Sequence, residues 1–222
     1  MSFLHTLRTN AYSKLDVDSH IVDIQGWMDP QFSEVVEKSL SSKDRNAPLT
    51  VIEVGSWKGL SASTLASTIK SMGFTSASII CIDTWLGAPE FWTWGLTDPN
   101  RGGSLQLDQG WPHVFSTFTK NIKKLGHDDI VAPLPLSSIQ AADVLKYYKI
   151  TADLIYIDAA HEYEPIKHDI CAYWKLLKVG GMIFGDDYTD GWPGVKRGVN
   201  ELIGTPTVQG VLWSAYKISD SI

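Results

Sequence analysis

One pattern limits what this chain can fold into more than any other. Short apolar runs rich in β-branched residues recur along it, each followed by a stretch with helical spacing. The runs Leu49–Val54, Ser78–Ile82, Ile130–Leu136, Ala152–Ile157 and one beginning at Met182 read as strands. Residues 61–72, 111–125, 138–148, 164–178 and 192–203 read as helices. The fourth of these carries Ile166, Ile170, Tyr173, Trp174 and Leu177 on one face, and Gly180-Gly181 is expected to end it. Strands that alternate with helices pair in parallel, because parallel neighbours need a long crossover. The tail from Thr205 to Ile218 instead holds two strands with almost nothing between them, and such a pair must be antiparallel. The expectation is an α/β chain with a doubly wound, mostly parallel, seven-stranded sheet and an antiparallel C-terminal hairpin. Pro133 and Pro135 place the third run at a sheet edge or cut it short.

The 222 residues suit a single domain over 1–222. Residues 1–45 read as an N-terminal helical extension. Its first part shows little periodicity; then Asp29 offers an N-cap, Pro30 a first helical position, and Phe32, Val35, Val36 and Leu40 follow at helical spacing over 30–42. Residues 84–112 break the pattern, and four of the nine tryptophans lie between 85 and 111. An irregular segment of this length is usually functional or disordered, and its aromatic content argues against disorder.

Composition excludes several classes. Hydrophobic residues at 44% and charged residues at 20% describe an ordinary globular protein. Cys81 and Cys171 form neither a disulfide framework nor a CxxC pair. No apolar run is long enough to span a membrane, and MSFLHTLRTNAYSKLD lacks an apolar leader, so a cytoplasmic setting is expected. A net charge of −6, with only short basic clusters such as Lys123-Lys124 and Lys196-Arg197, argues against nucleic acid as a partner.

Ligands of doubly wound sheets bind beyond the carboxyl ends of the strands. Here the first strand ends Glu53-Val54-Gly55-Ser56-Trp57-Lys58-Gly59, the second at Asp83, the fourth at Asp158 with His161 three residues on, and the fifth at Gly185-Asp186-Asp187. Core strands have no structural use for five carboxylates and an imidazole on one rim. The glycine spacing is neither GxGxxG nor GxxxxGK[ST], which suits a ligand without a pyrophosphate. Two glycines so spaced also occur in plain strand-to-helix turns. Asp83 can accept both hydroxyls of a ribose, or simply cap a helix. Taken together, Glu53, the glycines and Asp83 describe a nucleoside site.

The segments VIEVGSWKGLSA, IICIDTW, DLIYIDAAHEYE and GGMIFGDDY, in this order, resemble class I S-adenosylmethionine-dependent methyltransferases. GWMDPQF resembles a segment upstream of the first strand in the same proteins. Within the class the likeness is to the small metal-dependent O-methyltransferases of the antibiotic-sugar O-methyltransferase and cephalosporin-hydroxylase-like group. It covers roughly residues 25–217, and 86–112 match no part of it. The resemblance implies a Rossmann-like fold, S-adenosyl-L-methionine as cofactor, and Mg2+ or another divalent cation. It places Glu53, Gly55 and Gly59 along the methionine part of the cofactor with Ser56 beside them, Asp83 at the ribose, and Ser137 or Ser138 near the adenine. It makes Asp158, Asp186 and Asp187 cation ligands, with Asp158 also taking part in catalysis, and His161 the general base.

The chemistry suits those residue types. An alcohol is a poor nucleophile at neutral pH; a divalent ion acidifies a hydroxyl that enters an open ligand position, and a histidine can take its proton. Two vicinal hydroxyls on one ion would favour sugars, diols or catechols as the small acceptor. HEYEP at 161–165 is not HExxH, because Pro165 replaces the second histidine, and an oxygen-rich set favours Mg2+, Mn2+ or Ca2+ over zinc. Trp85, Phe91, Trp92, Trp94 and Trp111 suggest a lid over the acceptor, with Trp57 and Trp27 near the same rim; a satellite apolar cluster or a homodimer contact would also use them. His5, His20, His113, His127 and His168 read as surface residues. A metal-independent N- or O-methyltransferase and a non-catalytic nucleoside-binding protein stay open as alternatives. An NAD-dependent reductase is disfavoured by the missing third glycine and the lack of a Tyr-x-x-x-Lys pair.

Overall fold

The computed structural model describes residues 2–17, 23–93, 95–98 and 102–219. Its sheet comprises β1 (Leu49–Val54), β2 (Ala77–Asp83), β3 (Val131–Pro135), β4 (Ala152–Ile157), β5 (Leu177–Gly185), β6 (Thr207–Gln209) and β7 (Leu212–Tyr216). The order is β3-β2-β1-β4-β5-β7-β6. β1 to β5 pair in parallel, β7 runs antiparallel to β5, and β6 antiparallel to β7. The expected topology is therefore the observed one, with proline-bearing β3 at an edge. The chain winds outward from β1 in one direction and from β4 in the other, which opens a crevice where their carboxyl ends part.

Helices α1 (Phe3–Tyr12), α2 (Phe32–Leu40), α3 (Leu60–Ser71), α4 (Pro89–Thr93), α5 (Val114–Lys124), α6 (Ser138–Tyr147), α7 (Tyr163–Trp174) and α8 (Pro193–Ile203) complete the chain, with a 3-10 turn at Gly102–Leu105. Strand alternation feeds two cores: Leu49 and Val51 pack with α2, α3 and α5, whereas Ile52 and Val54 pack with α6, α7 and α8. Fully burying such side chains stabilises the fold by about 1.5–3 kcal/mol each. Among the described residues no helix is long and apolar enough to cross a membrane.

Three local expectations are corrected. Residues 3–12, in the part of the helical extension that was read as lacking periodicity, form a helix; the Ser2 hydroxyl caps it by accepting from the His5 N–H at 3.3 Å, and it lies along β3, covering that edge. Asp29 does not start α2, which begins at Phe32; its carboxylate accepts from the Gln31 N–H at 2.7 Å and the Val211 N–H at 3.0 Å, tying the chain before α2 to the β6–β7 turn. Gly180 and Gly181 do not end a helix. α7 stops at Trp174, and both glycines lie inside β5, where the pairing with β4 shifts register between Ala152 and Leu154. Glycine within a strand interior often marks such an irregularity.

Candidate active site

A cavity of about 760 Å3 opens at the carboxyl ends of β1, β2 and β4, between the loops that follow them and the segments 25–27 and 87–91. Its first wall is the turn after β1. Gly55 has φ +89°, and a Cβ there would stand 1.8 Å from the Asp158 carbonyl oxygen, so only glycine lets the ends of β1 and β4 come so close. Gly59, at φ +92°, turns the chain into α3; a Cβ there would press on the Phe118 ring at 3.1 Å. Gly55 and Ser56 line the cavity, and Gly59 and Glu53 do not. Glu53 is fully buried beneath the turn, where its carboxylate accepts from the Ser56 hydroxyl at 2.6 Å and burial pushes its pKa up to about 7.

Asp83 lines the same cavity and braces it. One carboxylate oxygen accepts from the Ser56 and Trp57 N–H groups at 3.0 and 2.8 Å, the other from the Trp85 N–H at 2.7 Å. Carboxylate oxygens hold about four lone-pair sites in all, so acceptor capacity is left over. Further along, Ser138 opens α6 on the wall near the carboxylate of Asp169, a residue only 2% exposed that also lines the cavity. Burial lifts Asp169 to about 6. Ser137 is the N-cap of α6.

The acids of β4 and β5 meet His161 on the wall between them. His161 Nε2 lies 2.7 Å from Asp187 and 3.9 Å from Asp158. The ligand atoms of Asp158, His161 and Asp187 all fall within 4.8 Å of one another, a spacing that could hold a metal ion. The expected all-acid set differs by one member. Asp186 is turned aside, accepting from the Asp187 N–H at 2.7 Å and the Tyr156 hydroxyl at 3.4 Å. The same hydroxyl donates to Asp158 at 3.0 Å. Burial and the charge of Asp158 raise Asp186 to about 6. Burial opposes charge on His161, but the neighbouring carboxylates of Asp158 and Asp187 outweigh it and lift the imidazole to about 10. Trp192 stacks on that imidazole at 4.3 Å.

The aromatic segment divides. Phe91 lines the cavity and stacks on Trp57 at 4.4 Å, and Trp57 and Trp27 line it too. Trp85 is a core residue, 1% exposed, whose indole donates to the Trp57 carbonyl at 2.8 Å and packs on Phe115 and Phe118. Trp92 and Trp111 are exposed and off the cavity wall, while Trp94 and His20 lie outside the described residues. Of the histidines read as surface residues, His127 is buried at 7% exposure and His168 lines the cavity. Sequence reasoning also missed Gln25, Glu90, Tyr156 and Asp169. None ends a strand, so strand-end position gave no signal for them.

Residues 52–188 match the family model described as a methyltransferase domain. The chain belongs to that family. It is a class I, S-adenosylmethionine-dependent methyltransferase, as the ordered motifs led one to expect. Solved methyltransferases share the fold at low identity. CalS11, a calicheamicin methyltransferase also described as a TDP-rhamnose 3'-O-methyltransferase, is 13% identical with a TM-score of 0.55 over 91% of this chain and 99% of that one. The O-methyltransferase from Bacillus cereus, solved in complex with SAH, is 14% identical with a TM-score of 0.56 over 96% of this chain and 90% of that one. Among curated proteins, an uncharacterised protein of Acanthamoeba polyphaga mimivirus is 24% identical over 81% of this chain and 70% of its own length.

Proposed function

We propose that this methyltransferase moves the methyl group of S-adenosylmethionine to a hydroxyl of a small acceptor, a sugar, diol or catechol-like molecule, with a divalent cation at Asp158 and Asp187. The observation that carries this is His161 set between Asp158 and Asp187 on the wall of the cavity that also presents Gly55 and Asp83.

The donor set suits a hard cation. Two carboxylates converge on His161, which among the described residues is the one cationic side chain within ion-pair distance of them. Oxygen ligands of this kind take Mg2+, Mn2+ or Ca2+. When bound, such an ion would acidify an acceptor hydroxyl and relieve His161 of its charge-balancing role, leaving the imidazole neutral. S-adenosylmethionine supplies a methyl group activated by its sulfonium charge. The chain does the rest. The Gly55 turn lies along the methionine part, Asp83 holds the ribose, and Ser138 with Asp169 closes the adenine end. Trp192 stands behind the His161 ring, and with the ion engaging Asp158 and Asp187, which otherwise hold Nε2, that nitrogen would be free to take the hydroxyl proton. Gly87–Phe91, from the 84–112 insertion, forms the acceptor wall with Trp57 and Trp27.

A metal-independent reading has one observation of its own, the 2.7 Å contact of His161 with Asp187, which is an acid–imidazole pair complete without an ion. Formation of S-adenosylhomocysteine over a panel of sugars, diols and catechols separates the two. Loss of turnover in EDTA and its return with Mg2+ supports the first; turnover indifferent to EDTA supports the second. In either case His161→Ala should slow transfer by about 10²–10⁴.

A further inference from the structure

The cavity is electronegative beyond what cofactor and cation require. Seven carboxylates line it, and among the described residues no lysine or arginine does. Asp158 and Asp187 serve the cation set, Asp186 is bonded to the Asp187 N–H and the Tyr156 hydroxyl beside them, and Asp83 is held by backbone N–H groups. Glu90, Glu162 and Asp169 stand outside both.

On the insertion side, three polar atoms of wall residues are closed off from solvent without a hydrogen-bond partner: Gln25 Oε1, Glu90 Oε2 and Trp57 Nε1. Nine such atoms occur among the described residues, and these three belong to wall residues of one cavity, where a bound molecule would supply the partner. Two are acceptors and one is a donor. The faces beside them are aromatic: Phe91 stacks on Trp57, and Trp27 sits 6.3 Å from Phe91. Aromatic faces attract cations. A phosphate or carboxylate on the insertion side would meet Glu90 with no lysine or arginine on the wall to offset it, His161 lying with Asp158 and Asp187. An ammonium would give Gln25 and Glu90 the donors they lack, and a ring hydroxyl oxygen would accept from the Trp57 indole.

We infer, on the methyl-transfer reading above, that the acceptor is a cationic, amine-bearing polyol of the amino-sugar type. Phosphorylated and nucleoside-diphosphate sugars are excluded, and Glu90 sets that choice.

The test is binding by the full chain labelled with [15N]tryptophan, with the Trp57 indole resonance assigned through Trp57→Phe. Glucosamine, glucose and glucose 6-phosphate are titrated in turn, with and without saturating S-adenosylhomocysteine. Glucosamine should move the Trp57 indole and bind about tenfold tighter than glucose, a factor equal to about 1.4 kcal/mol. Glucose 6-phosphate should bind more weakly than glucose. Glu90→Gln should erase the amine preference and leave the thermal shift given by S-adenosylhomocysteine intact. Equal affinity for the three sugars, preference for the phosphate, or no binding of any of them would overturn the inference. Loss of the nucleoside's thermal shift in Glu90→Gln would overturn it too, by assigning Glu90 to the cofactor. A wild-type chain with no such shift would sink the methyl-transfer reading itself, and the ranking of the three sugars would still be measured on the free chain.

Discussion

Gly55 carries a constraint that no other residue type meets. An alanine there must hold a positive φ and displace the Asp158 carbonyl. Gly55→Ala should cost about 3 kcal/mol or more in urea unfolding, the upper end of the range for a residue held in a sparsely populated backbone region, because the clash adds to the strain. Stability close to that of the native chain would mean that β1 and β4 part more easily than the structure indicates. Asp83 has two jobs, bracing the turn and facing the cavity, so Asp83→Ala would confuse them. Asp83→Asn keeps one acceptor oxygen and should weaken S-adenosylhomocysteine binding with a smaller loss of stability; unchanged affinity would remove the ribose assignment. These positions were legible in the sequence because strand ends concentrate chemistry in this kind of sheet. Tyr156 was not. It is fully buried in the middle of an apolar run, and only the folded strand shows its hydroxyl reaching Asp158.

The segment 84–112 shows how far an element can be read from composition. Its tryptophans look alike in sequence, and tertiary packing gives them different work. Trp85→Ala removes a core side chain and should cost about 3–5 kcal/mol, whereas Trp111→Ala, at a position 67% exposed, should fall within about 0.5 kcal/mol of the native chain. Equal losses in chemical denaturation would contradict the division. Phe91→Ala should raise KM for the acceptor and leave cofactor binding unchanged. Strand runs 49–54 and 152–157 match the structure residue for residue, because β-branched, doubly buried strands have a signature of their own. Helix α1 was legible but missed: Phe3, Leu4, Leu7 and Ala11 keep helical spacing, and Ser2 is a standard N-cap residue. The glycines of β5 misled because chain reversal and strand irregularity use the same residue.

The whole molecule carries its acids at a cost that depends on pH. Burial raises Glu53 from 4.5 to about 7 and Asp169 and Asp186 from 3.8 to about 6. Across those intervals the folded chain binds more protons than the unfolded one, so stability falls as pH rises through them. His161, raised from 6.5 to about 10 by Asp158 and Asp187 against the effect of burial, contributes stability fully below 6.5 and loses it as pH rises through 10. Asp153, whose burial is outweighed by hydrogen bonds from Lys178 and Thr50, acts only in the acid range below 3.8. In EDTA the melting temperature should therefore fall from about pH 5 to pH 10, with His127, which burial lowers from 6.5, opposing the fall just below that pH. Mg2+ should flatten the part owed to His161 and Asp186. A rise over that span would contradict the placement of these groups.

The most direct measurement is the melting temperature with S-adenosylhomocysteine, in Mg2+ and in EDTA. At 100 times its dissociation constant a ligand adds about 2.7 kcal/mol, which for a chain of this size is a rise of about 5–11 °C. That rise is expected, together with a separate increment from Mg2+ that EDTA abolishes. No rise at saturating nucleoside would contradict the assignment of the cavity to S-adenosylmethionine.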